Sequence, residues 1–356
     1  MSRAVHVAEA DGVLYAAVIE DGRPTDLLAE PIGRLDHPGD VVLGTVARVD
    51  RAAGAAFVDL GIGRPAFVPL RRSMAAGGAV AVQIVNAARD DKGAEATTDI
   101  ALAGRYLVHL PHRATVTLSR ALDAGARLRW RRVLHGGWIV RRSAESVPDD
   151  AVIAEAGQLT ARWRAIDSAA AAARPPACLQ RGPDAGQRLI LDTQGVGEIR
   201  VEPPARARSL GDWLRRTAPD LSHRLAPGAT AIAEALPALL TPMVPLPGGG
   251  SIVIEPTRAV TAIDVDAGAA DPFRANQAAA CEIARQLRLR NIGGLVVIDF
   301  ISMKRREDRA ALVDTLKRAL DGDPASVRLG GGVSRLGLVE LARQRRGLSL
   351  AEAVAG

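Results

Sequence analysis

Ala259-Val260-Thr261-Ala262-Ile263-Asp264-Val265-Asp266 and Gly293-Gly294-Leu295-Val296-Val297-Ile298-Asp299 are two apolar runs that end in carboxylates. Between them, Asn276 to Arg290 sets Ala279, Ala280, Ile283 and Leu287 at helical spacing. The order strand, helix, strand predicts a βαβ unit, whose strands are usually parallel and neighbouring. Asp264 and Asp299 then leave the same edge of one sheet, and alternation puts Asp266 on the face of Asp264. Two carboxylates brought together without a partner repel, and one must take up a proton. A hard divalent cation removes that conflict. Mg2+ typically takes one or two carboxylates while keeping waters and phosphate oxygens, and such a centre can activate water against a phosphodiester. The competing reading is that each Asp caps the turn after its strand. Spacing alone leaves both open.

Just upstream, Gly248-Gly249-Gly250 leads into the strand Ser251 to Ile254. No Lys-Ser/Thr follows, so it is not a phosphate-binding loop. Further back, the chain opens as a strand meander, with Asp11-Gly12 and Asp21-Gly22 as turns. From Val41 to Val85 come four short β runs with Gly-bearing turns, which predict a small barrel. Phe57 and Phe67 lie in successive strands of that barrel, in a chain with four Phe in all. Core packing is the plain reading of a lone aromatic. Exposed on a barrel, the same rings are stacking platforms for single-stranded bases.

Arg113 to Arg142 holds eight Arg against Asp123, an excess larger than the net charge of +6 for the whole chain, so the remainder is near neutral. A solvated face is the ordinary meaning of such a run. Here the strand-like Gly137-Trp138-Ile139-Val140 ends in Arg141-Arg142, adjacent guanidiniums suited to bidentate phosphate capture. Residues 149–174 read as a helix ended by Pro175-Pro176, Gln187 to Val201 as strand-like, and Ser209 to Arg216 as helical.

With 48% hydrophobic and 24% charged residues, the chain can bury a real core. No apolar run reaches the ~18 residues of a membrane span, and the N-terminus lacks the apolar core of a signal peptide. Two Cys, Cys178 and Cys281, make neither a disulfide framework nor a Cys-only zinc site. The six His form no His-x-x-x-His or Ser/His/Asp pattern. These observations predict a cytoplasmic, multi-domain protein.

Several stretches together resemble the bacterial ribonuclease E/G family. They include Leu246-Pro-Gly-Gly-Gly-Ser-Ile-Val-Ile254, Thr261-Ala-Ile-Asp264, Glu282-Ile-Ala-Arg-Gln-Leu-Arg-Leu-Arg290, Gly293-Gly-Leu-Val-Val-Ile-Asp-Phe-Ile301 and Ser334-Arg-Leu-Gly-Leu-Val-Glu-Leu341. Upstream, Ala55-Ala-Phe-Val-Asp-Leu-Gly61 and Ala66-Phe-Val-Pro-Leu70 are similar to the family's S1 domain, an OB-fold RNA binder. The resemblance implies an endoribonuclease that hydrolyses single-stranded RNA in processing and decay, messenger or ribosomal precursors included. It implies Mg2+ held by Asp264 and Asp299, with Asp266 standing where the family commonly has Asn. Ser302 replaces a family Asp. The family reads a 5′-monophosphate with an Arg-Thr pair, here Arg141-Arg142. Its Cys-Pro-x-Cys zinc linker has no counterpart in this sequence, so no zinc is expected and any oligomer is not zinc-linked.

The fold expected is α/β with several subdomains. A ribonuclease H-like subdomain is split into residues 1–35 and 187–241. Its insertions are an S1-type OB-fold at 36–110 and an Arg-rich 5′-end sensor at 111–186. A catalytic, Mg-binding α/β subdomain follows at 242–356. Catalysis falls to Asp264 and Asp299, and RNA binding to Phe57, Phe67, Arg141 and Arg142. The alternative is a non-catalytic RNA-binding member of the same family, acting in RNA metabolism or ribosome biogenesis.

Overall fold

The computed structural model describes residues 3–71, 74–89 and 92–355. It divides into two compact units, one of Met1–Ile32, Gly195–Ala207 and Ala226–Gly356, the other of Gly33–Gln194 and Arg208–Leu225. The chain opens with the antiparallel meander β1 (Arg3–Ala10), β2 (Val13–Glu20) and β3 (Arg23–Pro31). Asp11, Gly12, Asp21 and Gly22 take φ of 50°, 75°, 49° and 79°, as two-residue hairpin turns require.

Next come β4 (Val41–Asp50), β5 (Ala55–Asp59), β6 (Ala66–Pro69), β7 (Ala79–Asn86) and β8 (Glu95–Thr97). They pair in the order β4-β5-β6-β8-β7, and β7 returns to β4, closing a five-stranded barrel consistent with an OB-fold. Val46, Val58, Val68, Val82 and Ile84 fill it, one residue in two along the strands. At Gly44 a Cβ would meet the Asp59 carbonyl oxygen at 2.6 Å, so the wall closes there only over glycine.

The arginine-rich stretch forms a second small sheet from β9 (Leu102–Ala103), β10 (Leu107–His109), β11 (Val116–Leu118) and β12 (Trp138–Val140), covered by α1 (Ala124–Val133) and α2 (Asp149–Ala172). Its core is Leu107, Trp130, Trp138, Val152 and Leu159. β13 (Ala177–Gln180) then adds to β4 of the barrel.

One expectation is corrected here. Residues 187–201 are not one strand: α3 (Ala185–Asp192) precedes β14 (Val196–Glu202). Asp184 accepts from the Gln187 N–H at 2.9 Å, and the Gln187 side chain accepts from the Asp184 N–H at 3.2 Å. That capping box starts a helix before the Leu189-Ile190-Leu191 run can extend as strand.

After α4 (Pro204–Thr217) and β15 (Leu225–Pro227), the first sheet is complete in the order β15-β14-β1-β2-β3, with β1 parallel to β14. The remaining elements are α5 (Ile232–Leu240), β16 (Met243–Pro245), β17 (Ser251–Pro256), β18 (Val260–Asp266), α6 (Pro272–Leu289), β19 (Gly294–Asp299), α7 (Arg306–Leu320), β20 (Val327–Leu329), β21 (Leu338–Arg343) and α8 (Leu350–Ala355). Their strands make a six-stranded sheet, β16-β17-β18-β19-β21-β20, whose one parallel pair is the central β18 and β19. Ile263, Val296 and Ile298 pack under α6 through Ala279, Ala280, Ile283 and Leu287. Beneath β21 lies a fully buried ion pair, with Arg343 Nε 2.9 Å from Asp323 Oδ2. No helix among the described residues is long and apolar enough to cross a membrane.

Candidate active site

β18 and β19 run parallel in a register that sets Asp264 directly opposite Asp299. Burial alternates along both strands, so Ile263 and Ile298 go into the core while the two aspartates are exposed at the strand ends. No Lys or Arg among the described residues pairs with either carboxylate. A cleft of about 820 Å3 opens over them, and Ser302, Arg309, Ser334 and Arg335 also line it.

Asp266 is exposed on the same side, but its Oδ1 accepts from the Gly268 N–H at 2.9 Å. The turn-capping alternative therefore describes Asp266, and no such bond engages Asp264 or Asp299. Among the described residues no three His, Cys, Asp or Glu side chains gather as a metal cage. The two strand-end carboxylates alone fit Mg2+, which draws its other ligands from water and phosphate oxygens.

One positioning residue was not anticipated. Asn276, fully buried on α6, donates from Nδ2 to the Ile301 carbonyl at 2.8 Å and accepts at Oδ1 from the Ile301 N–H at 3.0 Å. It thereby clamps the backbone two residues beyond Asp299. The available signal was an amide at a core-facing position of an otherwise alanine-rich helical face. Two residues further along the same loop, the Met303 carbonyl accepts from Arg309 Nη1 at 2.7 Å, holding the segment that carries Ser302.

The barrel aromatics come together. Phe57 and Phe67 are cross-strand partners on β5 and β6, with ring centroids 6.2 Å apart and planes at 82°. Phe67 is 42% exposed, while Ala56, Val58, Ala66 and Val68 on either side are buried. The Arg48 guanidinium lies 4.3 Å from the Phe57 ring centroid. An edge-to-face aromatic pair with a cation over it faces outward from the barrel.

The arginine pair is divided. Arg141 donates from Nη1 to the Leu191 carbonyl at 2.8 Å and from Nη2 to Asp192 Oδ1 at 3.0 Å. Arg142 begins a 3-10 turn and is exposed. The strand stops at Val140, so the two arginines stand at the junction of strand and turn, Arg141 extended and Arg142 in the turn.

Comparison with known proteins adds a lineage to this geometry. The model of the ribonuclease E/G family matches residues 101–346. Ribonuclease E of Nostoc sp. is 35% identical over 364 residues, covering 88% of this chain and 52% of the relative. Ribonuclease E of Escherichia coli is 32% identical, covering 95% of the chain and 36% of the relative. For ribonuclease G of Escherichia coli the values are 28%, 92% and 77%. The chain thus spans about half the length of the Nostoc relative.

Proposed function

Because the chain belongs to the ribonuclease E/G family, we propose that it is an endoribonuclease, hydrolysing single-stranded RNA with Mg2+ held by Asp264 and Asp299. The observation that carries this reading is the register: two exposed carboxylates face each other on adjacent parallel strands with no cationic partner from the described residues. In a fold that is otherwise well packed, such a pair costs stability through repulsion. Its position at the strand ends, over an open cleft, suits a cation and a phosphate.

Mg2+, when bound, supplies the charge that activates water and offsets the negative charge on a scissile phosphate. Asp264 and Asp299 supply that cation with oxygen ligands from a rigid sheet edge. Asn276 keeps the Asp299 loop from moving by fixing Ile301. Arg335, exposed in the cleft, is placed to meet phosphate oxygens along an RNA strand. Phe57 and Phe67 offer rings on which bases stack, and Arg141 and Arg142 read a 5′-terminal phosphate. Attack by water leaves 3′-hydroxyl and 5′-phosphate ends. In domain terms, residues 1–35 with 187–241 are the ribonuclease H-like part, 36–110 the S1-type barrel, 111–186 the 5′-end sensor and 242–356 the catalytic part. The site of action is the cytoplasm.

The test is incubation of the purified chain with a 5′-monophosphorylated single-stranded RNA, with and without Mg2+. Internal cleavage that appears with Mg2+ and vanishes with a chelator is expected. An intact RNA under both conditions, bound or unbound, removes the nuclease and leaves an RNA-binding protein at most.

A further inference from the structure

A second cleft, of about 920 Å3, lies wholly within the unit of Gly33–Gln194 and Arg208–Leu225, and neither Arg141 nor Arg142 lines it. Three acids reach its wall, and each is already spent. Asp40 accepts from Arg181 Nη1 and from the Gly182 N–H, both at 2.7 Å. Glu155 accepts from the N–H groups of Arg105, Tyr106 and Leu107 at 2.5, 2.8 and 2.8 Å. Asp184 caps α3. What remains facing the space is positive.

Arg162 is the centre of that charge. It is half-buried on α2, and its Nε donates at 2.9 Å to the neutral Oε1 of Gln180. No carboxylate among the described residues pairs with it, and burial holds its pKa below the ordinary arginine value. A half-buried charge without a counter-charge is costly, and an anion that enters the cleft relieves it. Arg216, exposed at the end of α4, also lines the space and makes no ion pair among the described residues.

Trp213 completes the lining. Trp130 and Trp138 are core residues whose indole N–H groups donate to the carbonyls of Ala144 and His135. Trp213 is half-buried at the cleft, and no hydrogen bond engages its indole N–H. An indole and guanidiniums without counter-charge lining one cleft supply the chemistry that holds a base and a phosphate together. The volume falls within the ~300–1,000 Å3 of small-ligand sites.

We propose that this cleft binds a nucleoside 5′-monophosphate, its phosphate on Arg162 and Arg216 and its base on Trp213. The same unit occurs free and within an RNA chain. The inference stands apart from cleavage, since none of these residues lines the carboxylate cleft.

The experiment is calorimetric titration of the full chain with adenosine 5′-monophosphate, with thermal melts on the same samples. Saturable one-to-one binding is expected. Arg162→Gln should weaken it at least ~10-fold, or about 1.4 kcal/mol, without lowering Tm, since it removes an unpaired charge. Arg216→Ala, a fully surface change, should weaken it several-fold, and it decides the matter if Arg162→Gln fails to fold. Trp213→Leu should narrow the gap between the mononucleotide and inorganic phosphate. Displacement by a 5′-hydroxyl RNA pentamer assigns the natural source to an RNA chain, and failure to displace assigns it to the free nucleotide. No saturable binding of either probe overturns the proposal. So does affinity unchanged in Arg162→Gln and Arg216→Ala, or lost in Arg141→Ala alone. No arm reads RNA cleavage, so failure here leaves the nuclease reading untouched.

Discussion

The two charged regions of this protein differ in how evenly their charges are used. At the ends of β18 and β19, two carboxylates stand exposed with no cationic partner among the described residues. In the arginine-rich region, three of the eight guanidiniums are engaged, Arg113 with Asp99, Arg129 with the Val147 carbonyl and Arg141 with Asp192 and Leu191, while those of Arg120, Arg127, Arg131, Arg132 and Arg142 make no hydrogen bond or ion pair among the described residues. The lesson is that the count of charges in a stretch says little about ligand binding. What matters is which charges the fold leaves unspent. Removing a spent charge should cost stability whatever else it costs, and removing an unspent one should cost function alone.

The sharpest break in that comparison comes at the carboxylates. Asp264→Asn and Asp299→Asn should each lower kcat on the order of 10³-fold or more, since the charge stabilisation lost is several kcal/mol. Tm should hold or rise, because a repulsion is relieved. Near-wild-type turnover in both variants would end the metal assignment.

Arg141 tests the other side. Arg141→Ala should lower thermal stability and also flatten any preference for a 5′-monophosphate, on the order of 1.5–3 kcal/mol for its charge-assisted bonds. Asp192→Asn should do the reverse to the preference, sharpening it by freeing the guanidinium. Cleavage rates on three RNAs differing only in hydroxyl, monophosphate or triphosphate 5′ ends give the readout. If Asp192→Asn leaves the three rates unchanged while Arg141→Ala only destabilises, Arg141 is a structural tie.

Phe67→Ala should weaken single-strand binding by roughly 1–3 kcal/mol, the usual worth of a base–aromatic stack. Its exposure predicts almost no change in Tm, and a core role predicts a loss of about 3–5 kcal/mol of stability instead. Melts and binding isotherms on one sample separate the two.

The smallest effect expected is on acid stability. Burial, then Arg200, holds the His6 pKa below its ordinary value, and its Nδ1 accepts from the Ala231 N–H at 3.0 Å. As pH falls below ~6.5, the unfolded chain takes a proton that the folded chain refuses, so stability declines until the folded-state value is reached. His6→Asn should flatten the dependence of Tm on pH over that range. An unchanged slope would assign the acid sensitivity to other groups.

Much of the carboxylate edge was legible because it is local. Alternation in residues 259–266 and 293–299, and helical spacing between them, are written within one or two turns of chain. The Asp-Gly turns and the barrel strands were legible for the same reason. α3 was not, because Leu189-Ile190-Leu191 suits either a strand or a buried helix face, and only the Asp184–Gln187 box decides. Asn276 acts through Ile301, 25 positions away, which no periodicity reports. The cleft around Arg162 escaped sequence reading altogether. Its wall gathers residues from five separated stretches, and whether an arginine is spent depends on partners the chain brings in from afar.

The parallel pairing of β1 with β14 bears on how the protein is made. Val5 meets Ile199 and Val7 meets Val201, so the first strand to leave the ribosome waits for a neighbour nearly 200 codons downstream. At ~5–20 residues per second, that is on the order of 10–40 seconds of translation. Through this interval β1, β2 and β3 can form their hairpins, while the outer edge of β1 offers unpaired backbone groups to any other strand. The barrel and the arginine-rich sheet are synthesised whole in the meantime. A nascent chain stalled before codon 196 therefore carries a finished middle and an unfinished beginning, and should be more prone to aggregate than one stalled after codon 202.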